Sequence, residues 1–379
     1  MGLCDRIASN RFSRRPRLQF SLRSLLAAML VVGLVLGWYV EHVRRQQLFA
    51  RLRELGAGVC DDLKEDDFAL VEMALNGSTA EERRWACLAL EKFAQALIHA
   101  EGDSESADTG RVARLCLTPA YVARRFPRLL GAADAADPDL NEFAFRAMGS
   151  LARHTDVLSR DQIATSCDKA VASLESDDFE RRRRGVHLLS DLMGRLDDTR
   201  QKKAVDQLLQ IAADWLRSDR WTWGEWQHKV NAPGTPRQRF QHQALQALLY
   251  NCRFINDDGQ AMRAYRFLET GLAGHALDLQ AVVSMAALAS RLPAAQRRNV
   301  AQLVIGGVSD RLFWHDVGSG VSIWRNYAAD ALLQLAACLD KDEVQQALKA
   351  IKSQHLDAEH ADAFKAAKMA LQSRLAQSN

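Results

Sequence analysis

Proline is scarce in this chain: seven in 379 residues, about a third of the usual ~5%, with none inside the apolar stretches that recur at helical spacing. So little of the residue that breaks helices, with 48% hydrophobic and 26% charged residues, points to an all-α globular protein and excludes disorder over most of its length. Metal-site patterns are missing as well. The seven cysteines (Cys4, Cys60, Cys87, Cys116, Cys167, Cys252 and Cys338) form no C-x-x-C pair and have no histidine at zinc spacing. His355 and His360, five apart, fall on different sides of a helix, and there is no H-E-x-x-H. No G-x-S-x-G and no G-x-x-x-x-G-K-[ST] occurs, which removes the usual grounds for hydrolase or nucleotide chemistry. Gly318-Ser319-Gly320 after Trp314-His315-Asp316 is too local for a triad, whose members are brought together by the fold, and reads as a loop. No catalytic residue, metal ligand or cofactor is therefore expected, and the protein is not expected to be an enzyme.

A strong overall charge is lacking too, but the net +3 hides an asymmetry. Residues 1–55 hold ten arginines against Asp5, Glu41 and Glu54, a net of +7, which leaves −4 for the remainder. A basic arm before an apolar segment suits an anionic membrane surface, at roughly 1 kcal/mol per basic residue near it. The acidic remainder does not suit nucleic acid, so that partner is not expected. Arg181-Arg182-Arg183-Arg184 follows Glu175, Asp177, Asp178 and Glu180 and reads as a solvated face with local ion pairs.

From Ser24 to Val40 the chain is uncharged, and its nine Leu and Val residues contribute roughly −3 to −5 kcal/mol toward bilayer insertion. Seventeen helical residues span about 25 Å. Starting the helix at Phe20, with Arg23 snorkelling to the headgroups, brings it to a ~30 Å hydrocarbon core. Trp38 and Tyr39 sit at the far end, where amphipathic rings favour the interface. The expected division is a basic arm over residues 1–19, a transmembrane anchor over 20–41 and a juxtamembrane helix over 42–60. The rivals are a buried core helix, which would be striped rather than apolar all round, and a cleaved signal peptide, but Trp38-Tyr39-Val40-Glu41-His42 lacks the small residues a signal peptidase needs. The arginines before the span outnumber those after it, favouring a cytoplasmic N-terminus and a bulk outside the cytoplasm. Ser13-Arg14-Arg15 also has the look of a twin-arginine export signal, with the same outcome for the bulk of the chain.

The segments Phe20-Ser21-Leu22-Arg23-Ser24-Leu25-Leu26, Leu36-Gly37-Trp38 and Leu52-Arg53-Glu54-Leu55-Gly56-Ala57-Gly58-Val59 resemble the N-terminal membrane module common in planctomycete bacterial proteins. The resemblance covers about the first sixty residues. It implies anchoring in a bacterial inner membrane ahead of a variable domain. No leucine-rich L-x-x-L-x-L-x-x-N series follows Val59, although that domain often comes next in the group.

Beyond residue 60 a helical pattern of small residues recurs, beginning at Ala86, Ala144, Gly185, Ala244, Ala286 and Ala328, with spacings of 58, 41, 59, 42 and 42. The two long intervals fit a period near 42 interrupted by insertions, one near 101–110 and one near 219–236. Such a period built of helix pairs is that of HEAT and armadillo solenoids, where each repeat buries its apolar face only against its neighbours. Arg83, Arg84 and Arg146 also resemble HEAT repeats in their placement. Helix starts are expected at Ser78 with Glu81 as a capping box, at Asp137-Pro138 and at Asp177-Asp178. Phe93, Leu151, Leu192 and Leu335 are candidates for the layer between helices. A unit at 367–371 would act as a C-terminal cap. The fold expected over 61–379 is a right-handed, HEAT/armadillo-like α-solenoid of about six repeats behind a single N-terminal transmembrane helix.

The second insertion gathers Trp221, Trp223 and Trp226 and then His228, with Trp215 just before them. Loops on a rigid scaffold often carry function, and tryptophan is enriched at binding hot spots. Two readings stay open: the rings engage a partner protein or a glycan, or they fold back over an apolar groove. The expected function is a membrane-anchored scaffold for protein–protein interaction at the cell envelope. The rivals are an enzyme on a helical-repeat fold, and a nucleic-acid-binding solenoid if the domain is cytoplasmic.

Overall fold

The computed structural model describes residues 22–58, 63–99, 107–154, 156–218, 235–273, 279–309, 321–353 and 358–377. Among them there are helices and turns but no strand. The first helix, α1 (Leu22–Ala57), is followed by α2 (Glu65–Leu75), α3 (Ala80–His99), α4 (Ala107–Cys116), α5 (Pro119–Ala133) and α6 (Pro138–His154). Next come α7 (Arg160–Leu174), α8 (Phe179–Leu192), α9 (Asp198–Ser218), α10 (Pro236–Asn251) and α11 (Asp258–Ala273). The series closes with α12 (Leu279–Leu288), α13 (Ala294–Ser309), α14 (Val321–Leu335), α15 (Lys341–Ser353) and α16 (Ala358–Gln377).

Seven antiparallel hairpins organise these helices: α2 with α3, α5 with α6, and then each consecutive pair from α7–α8 to α15–α16. The second helices form one continuous layer, in which α3, α6, α8, α10, α12, α14 and α16 each pack on the next. First helices form the other layer, with contacts of α2 on α5, α7 on α9, α9 on α11, and α13 on α15. The chain is an all-α helical-repeat solenoid. Every small-residue motif of the sequence lies on a second helix, and Ala86, Ala144, Ala244 and Ala286 are buried there along with Phe93, Leu151, Leu192 and Leu335. Small side chains at these positions let the second helices approach while the larger ones fill the space between layers. The unit at 367–371 lies on α16, in a seventh hairpin that ends the series where a C-terminal cap was expected. Helix α4 is extra, packed on α3 and α2 at the end of the first insertion.

Turns between helices carry matched starting chemistry. Thr118, Ser159, Asp178 and Thr235 accept hydrogen bonds from the first-turn amides of α5, α7, α8 and α10, and Asp137, Asp197, Asp257 and Asp340 do so for α6, α9, α11 and α15. The capping box of α3 falls on Thr79 and Glu82, at 3.2 Å each way, not on Ser78 and Glu81. The helix begins at Ala80, so the capping oxygen must come from residue 79. Pro127 stands inside α5, against the expectation that proline avoids the periodic stretches. It is exposed, so the carbonyl it leaves unbonded, that of Ala123, turns toward water.

Helix α1 is a single rod of 36 residues, about 54 Å long, with no break between the expected anchor and the expected juxtamembrane helix. From Leu25 to Val40 it is exposed on all sides, Leu30 at 66% and Trp38 at 67%, and the helix is long and apolar enough to cross a membrane. Its last turns are core: Leu52 and Leu55 are buried against α2 and α3. Arg51 makes a two-pronged ion pair to the buried Asp67 at 2.8 and 2.9 Å, and Arg53 pairs with Glu81 at 2.7 Å. Gly56 lies so close to Trp85 that a Cβ would sit 2.7 Å from the ring, and Gly58 ends the helix at φ +90°, in the left-handed region that suits glycine.

Candidate ligand groove on the second-helix layer

Four neighbouring second helices, α3, α6, α8 and α10, line a groove. Each contributes a polar stripe at helical spacing beside its buried one: Glu91 and Gln95; Glu142, Arg146 and Arg153; Arg183, His187 and Asp191; Gln243, Tyr250 and Asn251. The groove holds two cavities that share Arg153, His187, Asp191 and Gln243. The larger, about 690 Å³, lies at the C-terminal ends of α6, α8 and α10 and reaches Arg195, Arg253 and Phe254 in the 3₁₀ turns that follow α8 and α10. The smaller, about 450 Å³, extends toward α3.

Glycine makes room for these walls. A Cβ on Gly149 would run into the Asp191 carboxylate, and one on Gly194 would come within 2.9 Å of the Phe254 ring. Asp191 is buried, pairs with Arg153, and lies 3.4 Å from His187 Nδ1. Burial, followed by the charges of Arg153, Arg183 and Arg146, lowers the His187 pKa and keeps the ring neutral near pH 7. Arg195 donates to the Ala152 carbonyl at 3.2 Å and pairs with Asp156 at 2.9 Å. Arg253 is exposed, rests on the Phe254 ring at 4.7 Å, and has no carboxylate within ion-pair distance among the described residues. Burial and the facing charge of Arg253 lower the pKa of Arg153. At the other end, Arg146 and Gln95 both donate to Glu91 Oε1, at 2.8 and 3.1 Å, while Oε2 of this buried carboxylate meets no donor among the described residues.

The arginine run divides its work. Arg181 lies 3.9 Å from Asp134, and Arg182 stacks over Phe179 and Phe240. Arg183 pairs with Glu180 and Glu142, and the buried Arg184 donates to the Pro138 carbonyl at 2.9 Å. These partners lie on α6, α8 and α10 or the turns beside them, so the run ties repeats together. Arg84 and Arg146 act likewise, binding Asp137 and Glu91 across the α3–α6 contact. The five described cysteines are free. Burial raises Cys87 and Cys252 to about 12 and Cys167 to about 11, which suits packing rather than thiolate chemistry.

Trp221, Trp223, Trp226 and His228 lie outside the described residues, as do His355 and 314–320. Arg23 falls in the first turn of α1, but its side chain is not among those described. Trp38 and Tyr39 are exposed at the end of the apolar half of α1, and Trp38 stacks on His42 with ring centroids 5.2 Å apart. Among the described residues no three His, Cys, Asp or Glu side chains are placed to hold a metal ion. Sequence reading missed the groove, though it carried a signal: in four successive repeats an arginine stands in the last turn of the second helix or in the 3₁₀ turn after it, at Arg153, Arg195, Arg253 and Arg291.

No family model matches the chain, so the resemblance of its first sixty residues to the planctomycete module gains no support there, and no curated protein matches either. Among solved structures the chain is similar to a designed armadillo repeat protein, at 15% identity over 79% of this chain and 98% of that one, with a TM-score of 0.33. Two crystal structures of engineered proteins are also similar. One shares 14% identity over 86% of this chain and 95% of that one, with a TM-score of 0.32, and the other 13% over 81% and 97%, with 0.31. These likenesses carry no weight of their own; the repeat architecture stands on the helix contacts described above.

Proposed function

We propose that this protein is a non-catalytic, helical-repeat scaffold for protein–protein interaction, held in a bacterial inner membrane by α1, with its N-terminus in the cytoplasm and its repeats outside. The observation that carries this reading is the division of α1: one rod, exposed on all sides and apolar from Leu25 to Val40 and built into the repeat core over its last turns. An anchor continuous with the domain it holds gives that arrangement a purpose, and the resemblance to the planctomycete module agrees with it. The arginines at 6, 11, 14, 15 and 17 favour retention of the N-terminus in the cytoplasm. Recognition would use the second-helix groove and the loop bearing Trp221, Trp223, Trp226 and His228, with a protein, or a glycan, as partner. Nucleic acid fits poorly with a repeat domain that is net acidic.

A reporter fused after Asn379 tests the placement. An alkaline phosphatase fusion is expected to be active and a green fluorescent one dark, with the chain in the membrane fraction after carbonate washing. A fluorescent fusion with inactive phosphatase would overturn it.

One observation favours an enzyme as the second reading: His187 and Asp191 meet in a cavity that Ser190 also lines. The hydrogen bonding speaks against it. Asp191 is engaged by Arg153, and no hydrogen bond joins the Ser190 hydroxyl to His187 among the described residues.

A further inference from the structure

The larger cavity has an unbalanced charge. Arg153, Arg195 and Arg253 converge on it and Asp191 is its one lining carboxylate, already engaged by Arg153 and His187. Arg195 is held by Asp156, whose side chain is 99% exposed and therefore well screened by water. Arg253 has the face of Phe254 and no carboxylate partner among the described residues. Arg153 and Arg253 lie close enough to oppose each other's charge, and the cavity they line offers no carboxylate beyond Asp191 among the described residues. Beside them stand Tyr250, 58% exposed although large and aromatic, and Gln243, whose amide has no partner among the described residues. This combination offers a charged fork for an oxyanion, an aromatic ledge and an amide for a backbone group. Four helices at 8–10 Å spacing make the groove roughly 30 Å long, which is about eight or nine residues of extended chain.

We propose that this groove binds an acidic peptide segment, with a carboxylate of the peptide seated between Arg153 and Arg253 and its chain running over Gln243 and Tyr250 toward α3. The proposal rests on the scaffold reading and supplies the chemistry of its partner.

The test uses the full chain in detergent micelles and a fluorophore-labelled octapeptide of alternating Glu and Ser, read by anisotropy. Binding is expected to weaken with salt and to vanish when Gln replaces Glu in the peptide. Arg253→Gln should weaken it about tenfold, the loss of one charge-assisted contact, and Arg253→Lys by much less. Arg266→Gln, an exposed charge on α11, should leave it unchanged. Arg253 is exposed and makes no ion pair among the described residues, so its variants should fold. Equal binding of the Glu and Gln peptides, or equal effects of Arg253→Gln and Arg266→Gln, would overturn the proposal. Displacement by inorganic phosphate as effectively as by unlabelled peptide would overturn the peptide assignment. None of these outcomes changes the reporter result after Asn379, so the pocket can fail while the anchored scaffold stands.

Discussion

Gly185 shows how closely one residue is specified by the packing of two helices. A Cβ there would lie 2.7 Å from the Ala170 carbonyl of α7 and 3.0 Å from Ser173 Cβ. Gly306, inside α13, has nothing within 4 Å of the same position. Alanine should therefore act with opposite signs at the two sites. Gly185→Ala incurs overpacking of about 1–3 kcal/mol against a helix-propensity gain of about 1 kcal/mol, and should lower stability. Gly306→Ala should raise it by about 0.5–1 kcal/mol. Denaturant midpoints at constant slope would check both, and the same sign at both sites would refute the packing argument. Gly185 was legible as a helix-contact position because it stands where other repeats carry alanine. The neighbours that forbid a Cβ were not legible, since Ala170 is joined to it only through the hairpin. The shift of a cap from Ser78 to Thr79 has a similar cause: two adjacent hydroxyls offer equal local chemistry, and the first packed turn decides between them.

At the scale of elements, the last turns of α1 serve as the leading edge of the second-helix layer. Leu55 is fully buried there, and Leu55→Ala should lower stability by about 2–5 kcal/mol. A solenoid passes such damage mainly to neighbours. Hydrogen exchange should accordingly speed up in α2 and α3 while α14 to α16 keep their protection, and uniform loss of protection would contradict a repeat-by-repeat core. The motif Leu52 to Gly58 only resembled part of a membrane module, and its packing as a docking tail needed the positions of Trp85 and Asp67, which lie beyond the turn. A second repeat signal went unread. Leu117, Leu158, Leu196 and Leu339 each precede a capping Thr, Ser or Asp and are buried beneath the turn, pinning its entry as a hydrophobic staple does. Period counting on second helices overlooked it because these residues stand between the helices.

For the whole molecule, the all-helical repeat was legible because the small-residue period and the capping turns agree along the chain. The groove was not. Its residues are common surface types, Arg, Gln, Tyr and His, and they acquire meaning only when four helices set them side by side. The central claim is that one helix serves both as membrane anchor and as the first packed element of the repeats. A leader removed near Tyr39 would leave the same buried tail but no anchor. Intact-mass measurement of a C-terminally tagged chain, recovered separately from the carbonate-washed membranes and from the soluble fraction of the native host, tests this most directly. The account predicts a chain that still carries residues 22–40; recovery of a soluble chain beginning after Tyr39 would contradict it.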